Sequence, residues 1–324
     1  MGFFDRLKEP VFLKDSSNAE QELAQLKELR SSVPQDVTEE LDLRIRLVEA
    51  GIHGESTIRF ELANSHIPMY VLHDLYLEHE GLSAQIDYLL VTKKAIFVLE
   101  CKNLQGNIEI NSSGDFIRTL TYGTRTKKEG IYSPITQNRR HLELIKQIRS
   151  AEKTNPLFKM MFERGFYQNY RSVVVLSNPK TLLNARYAKK EIRQQVIRAD
   201  QLAEYIRAAC ADPSAPSFSD KDMEELAQFF LNRHKDQAKD YTTPFREAMS
   251  ATQAKEPTPL PNAATSAPQP SVNQTSADQG QVLCPKCGAP MIRRIASKGS
   301  NAGNAFYGCS KFPACRCIVP IKPD

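Results

Sequence analysis

The sequence contains no apolar run of the roughly 20 residues that a bilayer crossing requires. Its N-terminus, MGFFDRLKEP, lacks both a long apolar region and a small-residue cleavage site, so it does not read as a secretory signal. These absences make the cytoplasm the expected location. Cysteine is scarce before residue 284, where only Cys101 and Cys210 occur. Residues 1–249 also lack net charge, with 35 Lys and Arg against 35 Asp and Glu. No internal repeat is detectable. Residues 241–281 have almost no large apolar side chain, only Pro, Ala, Ser, Thr, Gln and Asn in quantity. Such a segment cannot bury enough surface to offset its ordering entropy, and is expected to be a flexible tether.

What remains is an ordinary globular composition, 41% hydrophobic and 25% charged over 324 residues, enough for one substantial core and a small extra module. Residues 16–32 and 36–65 show helical spacing of Leu23, Leu26 and Leu29, then of Leu41, Ile45 and Val48. Gly51 and Gly54 are expected to break the second segment, with a new helix from Gly54 to Ser65. Val71–Glu78, Asn107–Ile110, Phe116–Thr121, Arg171–Ser177 and Gln195–Arg198 read as strands. Helices are expected after Pro134, after Asp200, and from Asp220 to Lys239. Strands interleaved with helices imply an α/β or α+β core on a mixed sheet.

The stretch Gln85–Gln105, QIDYLLVTKKAIFVLECKNLQ, is two apolar runs around Thr92-Lys93-Lys94, the pattern of a strand hairpin buried on both faces. Asp87, Glu100 and Lys102 sit inside it, and charge in a buried strand is costly unless paired or bound to metal. Glu100 and Lys102, two apart, share a face at about 7 Å along the strand. A two-residue turn at Lys93-Lys94 pairs Thr92 with Ala95 and sets Asp87 opposite Glu100, with Cβ atoms about 5 Å apart. A one-residue slip would separate the carboxylates across the sheet. Opposed carboxylates repel unless a divalent cation joins them, and hard oxygen ligands suit Mg²⁺ or Mn²⁺. An Asp–Lys or Glu–Lys ion pair at the sheet edge is the simpler alternative.

Gly54-Glu55, Val71-Leu72-His73-Asp74-Leu75, Gln85 to Thr92, Phe97 to Asn103, Gly106, Pro134-Ile135, Gln137 and His141 together resemble the nuclease-related domain, NERD, over roughly residues 50–150. The resemblance implies a PD-(D/E)XK endonuclease-like fold, a mixed sheet flanked by helices. It implies Asp87, Glu100 and Lys102 as a catalytic core, with Glu55 as an additional acid and Gln137 as an accessory residue. His73 and His141 read as structural.

Five cysteines fall between residues 284 and 317. Cys284 and Cys287 form a CxxC knuckle, and Cys309 with Cys315 completes four thiolates, with 21 residues between the pairs. This set suits tetrahedral structural Zn²⁺, which would supply the folding energy of so small a module. Cys317 could replace Cys315; Cys315 is preferred. The last 44 residues carry seven Lys and Arg against Asp324 alone, which favours an anionic partner. With Met291, Arg293, Phe306, Tyr307, Gly308, Ser310, Phe312 and Pro313, the module resembles the four-cysteine zinc finger at the C-terminus of bacterial type I topoisomerases. The resemblance implies binding to DNA, single-stranded by preference. Phe306, Tyr307 and Phe312 would stack on bases, with Arg293, Arg294, Lys298, Lys311 and Arg316 along the backbone.

The expected organisation is an N-terminal helical segment (1–49), a nuclease-like domain (50–240), a flexible linker (241–281) and a zinc-ribbon DNA-binding module (282–324). The expected function is metal-dependent phosphodiester hydrolysis on DNA, in processing or repair, in a bacterial protein. A DNA-binding protein using the nuclease fold as a platform, or an RNA-directed zinc protein, is the alternative.

Overall fold

A computed structural model describes residues 7–33, 38–237, 239–247, 284–295, 305–310, 315 and 317–320, and for residues 293–295 and 320 the description is of backbone alone. In chain order the first unit contains β1 (Pro10–Lys14), α1 (Asn18–Arg30), α2 (Thr38–Ala63), β2 (Met69–His79), β3 (Leu82–Thr92), β4 (Ile96–Lys102), β5 (Asn107–Ile110), β6 (Phe116–Tyr122), β7 (Arg125–Ile131), α3 (Pro134–Ala151), α4 (Pro156–Asn169), β8 (Tyr170–Leu176), β9 (Leu183–Asn184), α5 (Lys190–Arg193), β10 (Val196–Arg198), α6 (Leu202–Cys210) and α7 (Asp220–Leu231). The chain divides into two compact units, residues 1–257 and 258–324.

The main sheet has the order β1-β2-β3-β4-β8-β10. β2, β3 and β4 are antiparallel neighbours, while β1 joins β2, β8 joins β4 and β10 joins β8 in parallel, so the sheet is mixed. One face packs Leu89, Val91, Ile96 and Val98 against Leu142 and Ile145 of α3 and Phe230 of α7. The other packs Tyr88, Leu90, Phe97 and Leu99 against Ile58 and Leu62 of α2 and Ile206 of α6. With both faces covered, the central strands are continuous apolar runs. A second, four-stranded sheet, β7-β6-β5-β9, lies on Ile135, Leu176 and Val196.

Four expectations need correction. α2 is one uninterrupted helix from Thr38 to Ala63, crossing both glycines and the boundary expected at residue 50. Gly54 is buried there for space: a Cβ would lie 2.7 Å from Ser177 Oγ and 2.8 Å from Asn103 Cβ. The helix expected from Asp220 to Lys239, α7, stops at Leu231. Beyond it, the Tyr76 N–H donates to His234 Nδ1 (3.0 Å) and the Lys235 N–H to the Tyr76 carbonyl (3.1 Å), filling the edge of β2 past the end of β1. The expected linker begins late. Thr242 is buried, the Tyr241 N–H donates to Gln25 Oε1 at 3.1 Å, and Phe245 packs on the Leu26–Leu41–Ile45 cluster of α1 and α2. Finally, β1, β7 and α4 had no counterpart in the sequence reading. The rest of the expected linker, residues 248–281, lies outside the described residues.

The second unit contains β11 (Met291–Ile295), β12 (Ala305–Cys309) and β13 (Ile318–Pro320), an antiparallel sheet in the order β11-β12-β13. Among the described residues, no helix is long and apolar enough to cross a membrane.

Candidate functional site

The β3–β4 ladder pairs Val91 with Ile96, Leu90 with Phe97, Leu89 with Val98 and Tyr88 with Leu99, the register counted outward from Lys93-Lys94. The Thr92 N–H closes the turn on the Ala95 carbonyl at 3.1 Å. One step further out, where Asp87 would face Glu100, the ladder gives way. Asp87 Oδ2 accepts the Cys101 N–H at 2.6 Å, so a carboxylate takes the donor that a strand carbonyl would otherwise take. β2 is interrupted at the same level. Asp74 adopts φ +52° between the paired residues His73 and Leu75, and its oxygens are taken by the Asn18 N–H (2.6 Å) and Gln85 Nε2 (2.5 Å). Asp74 is therefore tied into the fold, at the start of α1.

Glu100 is almost fully buried, with its side chain 1% exposed, and Lys102 Nζ lies 2.6 Å from Glu100 Oε1. Asp87 is half-buried. Desolvation, Glu100 and Glu55 hold the Asp87 carboxyl well above the usual carboxylate range. Desolvation also raises Glu100, against the opposing pull of Lys102. Burial works against charge on Lys102, but Glu100 and Asp87 more than offset it, so the ammonium is held charged. Cys101, between them, has its thiol pushed well up by burial and hydrogen-bonds Ser177 Oγ at 3.6 Å.

Helices frame this strand end from both faces. From α2, Glu55 Oε2 meets His73 Nε2 at 2.8 Å. His73 Nδ1 faces the Asp15 carbonyl at 3.2 Å, an acceptor only, so Nδ1 carries a proton. The imidazole stacks on Tyr88 (centroids 4.5 Å apart), and the Tyr88 hydroxyl donates to the Glu55 carbonyl at 2.9 Å. From α3, His141 Nδ1 lies 3.6 Å from Glu100 Oε2. Neither atom has a hydrogen-bond partner among the described residues. Burial, then the charge of Lys102, lowers His141 to a pKa of about 4, leaving it neutral at pH 7. Gln137, half-buried, sits one turn before His141 on the same face of α3. Asn138 had no signal in the sequence: its Nδ2 donates to the Val98 carbonyl at 2.8 Å and to Ser172 Oγ at 3.0 Å, fixing α3 against β4 and β8.

An unpartnered buried oxygen on Glu100 and two carboxyls raised by desolvation and mutual repulsion fit a cation held by two carboxylates. The other coordination positions would go to water and phosphate oxygens. The carboxylates do not form a closed cage: among the described residues, the cysteines are the one group of three or more metal-ligating side chains.

In the second unit, Sγ of Cys284, Cys287, Cys309 and Cys315 all lie within 4.8 Å of one another. The Cys284–Cys315 and Cys287–Cys309 separations are 3.8 and 3.5 Å. Zn–S bonds of about 2.3 Å in a tetrahedron place sulfurs roughly 3.8 Å apart, so the site fits zinc. Burial opposes ionisation of Cys284, yet the Lys286 and Cys287 N–H groups and the neighbouring thiols bring its pKa down to about 6. Cys317 stays outside the quartet; its carbonyl accepts the Cys309 N–H at 3.1 Å. On β12, Phe306 and Tyr307 are half-buried, so the face offered for stacking is partial. β11 carries Arg293 and Arg294 opposite them, at the Tyr307 and Phe306 registers. Lys298, Lys311, Phe312 and Arg316 lie outside the described residues.

No curated protein and no solved structure matches this chain. Two family models do. Residues 50–177 match the nuclease-related domain, spanning Glu55 and the second half of α2, the β2–β4 hairpins, and all of α3 and β8. Residues 281–324 match the topoisomerase DNA binding C4 zinc finger, spanning all four clustered cysteines. The chain therefore carries a nuclease-related domain, on a mixed sheet flanked by helices, followed by a DNA-binding zinc ribbon of the topoisomerase type.

Proposed function

We propose that the protein is a divalent-metal-dependent nuclease that hydrolyses phosphodiester bonds of DNA, and that its zinc ribbon engages DNA, single-stranded by preference. The observation that carries the reading is the end of β4. Glu100 is buried with one oxygen on Lys102 and the other unpartnered, beside an Asp87 whose ionisation its neighbours oppose. Asp87 and Glu100 would hold Mg²⁺ or Mn²⁺. When bound, such an ion lowers the pKa of a water and offsets charge on the phosphate.

The remaining roles fall to the chain's own side chains. Lys102, held charged and partly exposed, is positioned to meet developing negative charge on the phosphate or to orient the attacking water. Glu55, fixed through His73, supplies a further carboxylate from the α2 side, where it can take a proton or bind an outer water. His141, neutral at pH 7, is suited to a hydrogen bond with a water beside Glu100 Oε2. Gln137 would act as an accessory contact to substrate on the same helix face.

A non-catalytic DNA-binding platform is the second reading, favoured by the ion pair through which Lys102 already satisfies Glu100 Oε1. Incubation of the full-length, zinc-loaded protein with single-stranded, duplex, branched DNA and RNA in Mn²⁺ or Mg²⁺ decides between them. Cleavage abolished in Lys102→Ala and Glu100→Ala supports the enzyme. No cleavage of any substrate, with DNA binding intact, supports the platform.

A further inference from the structure

The electrical neutrality of residues 1–249 conceals a separation of charge that the tertiary structure concentrates. β5 pairs in parallel with β9, Ile108 beside Leu183 and Glu109 beside Asn184, joining two segments more than 70 residues apart into one sheet. Those segments, residues 103–140 and 178–198, hold 12 Lys and Arg against 4 Asp and Glu. The lobe thus carries a net +8, and the rest of residues 1–249 a net −8.

Most cations of the lobe form no salt bridge among the described residues, although Arg118, Lys127 and Arg198 do. Outside it, Lys27, Arg30, Arg44 and Arg59 are each paired with a carboxylate. On it, Arg125 and Lys128 of β7, and Arg186, Lys189, Lys190 and Arg193 around α5, are exposed and form no salt bridge among the described residues. Three tyrosines stand among them: Tyr122, Tyr132 and Tyr187 are 65%, 59% and 62% exposed. Arg186 lies over the Tyr187 ring (5.4 Å) and Arg140 over the Tyr132 ring (5.7 Å). Unpaired cations interleaved with exposed aromatic faces match a polyanion carrying stackable bases.

The lobe is also anchored at the candidate site. β5 begins five residues after Lys102, the Ser177 N–H donates to the Lys102 carbonyl at 3.1 Å, and Thr181 Oγ1 donates to the Leu104 carbonyl at 2.5 Å. Arg198, bonded to the Thr181 carbonyl at 2.8 Å, braces the same loop.

We infer that the second-sheet lobe is the DNA-docking surface of the nuclease-related domain, gripping the phosphate backbone beside the carboxylate site independently of the zinc ribbon. This deepens the nuclease reading by assigning the substrate surface within the domain itself. The test uses the full chain with Arg125, Lys128, Lys189 and Lys190 all replaced by Gln. Its control removes equal charge outside the lobe: Lys8, Arg46, Lys159 and Arg164, also to Gln. Both are measured again with Cys284→Ala and Cys287→Ala, which removes the ribbon's contribution.

Affinity for duplex and single-stranded oligonucleotides is read by fluorescence anisotropy across salt. Each phosphate contact contributes about 0.9 to the log–log salt slope on duplex and about 0.7 on single strands. The lobe variant is expected to lose about 2–4 of slope, and the control to lose less than about 1, with or without the ribbon. Equal slopes in lobe variant and control, or a loss confined to RNA, overturn the inference. A wild type that never cleaves while the lobe variant loses slope refutes the nuclease reading alone. A wild type that cleaves while the lobe variant binds like the control refutes the lobe alone.

Discussion

Two glycines three residues apart on α2 should respond in opposite directions to the same substitution. At Gly51 a new Cβ meets nothing within 4 Å. Gly51→Ala should therefore recover the helix-propensity difference, about 0.8–1 kcal/mol of added stability. At Gly54 the same methyl would stand 2.7 Å from Ser177 Oγ, 2.8 Å from Asn103 Cβ and 3.3 Å from Cys101 Sγ. Asn103 cannot yield easily, because its Nδ2 donates to the Ala50 carbonyl of the same helix at 2.7 Å. Overpacking of this kind costs about 1–3 kcal/mol, which outweighs the propensity gain. The expected net effect of Gly54→Ala is a loss of up to about 2 kcal/mol, or up to roughly 8 °C in the melting of a unit of this size.

The displacement would also carry Glu55 and its His73 contact away from the end of β4, so metal-dependent cleavage should fall more than stability does. Thermal and denaturant unfolding of the two variants, side by side with cleavage rates, measure both effects. If Gly54→Ala stabilises as much as Gly51→Ala, the close approach of α2 to β4 and β8 is wrong, and Glu55 has no fixed place at the site.

Other consequences follow from the same geometry. The raised Asp87 and Glu100 carboxyls contribute stability that is fully present below their unfolded pKa values, near 4, and is lost as pH rises through their folded values; metal-free protein should weaken over that span. Mn²⁺ must displace those protons, so its stabilising shift, read by differential scanning fluorimetry, should grow with pH and vanish in Glu100→Gln. A chelator strong enough to strip zinc should abolish the strand signals of residues 291–320 by NMR and leave the melting of residues 1–257 unchanged. Phe245→Ala should cost about 1–2 kcal/mol in denaturant unfolding, because its ring covers the α1–α2 cluster from within a segment whose composition reads as linker.

The sequence by itself determined the elements whose signals are local. The β3–β4 hairpin carries its own register, because the side-chain period of two and a two-residue turn leave one pairing that buries both apolar runs. The zinc quartet is legible because tetrahedral coordination constrains residue type and spacing. Tertiary structure decided what depends on a partner distant in sequence. Gly54 reads as a helix breaker until Ser177 and Asn103 press against it, and Phe245 reads as linker until α1 and α2 supply a surface for it. His73 and Asn138 gain their roles from the Glu55, Val98 and Ser172 atoms they meet. Charge was the most deceptive quantity, since a sum over residues 1–249 gives zero. The pairing of β5 with β9 gathers two basic segments into one sheet, because strand pairing brings segments together without regard to their sequence separation.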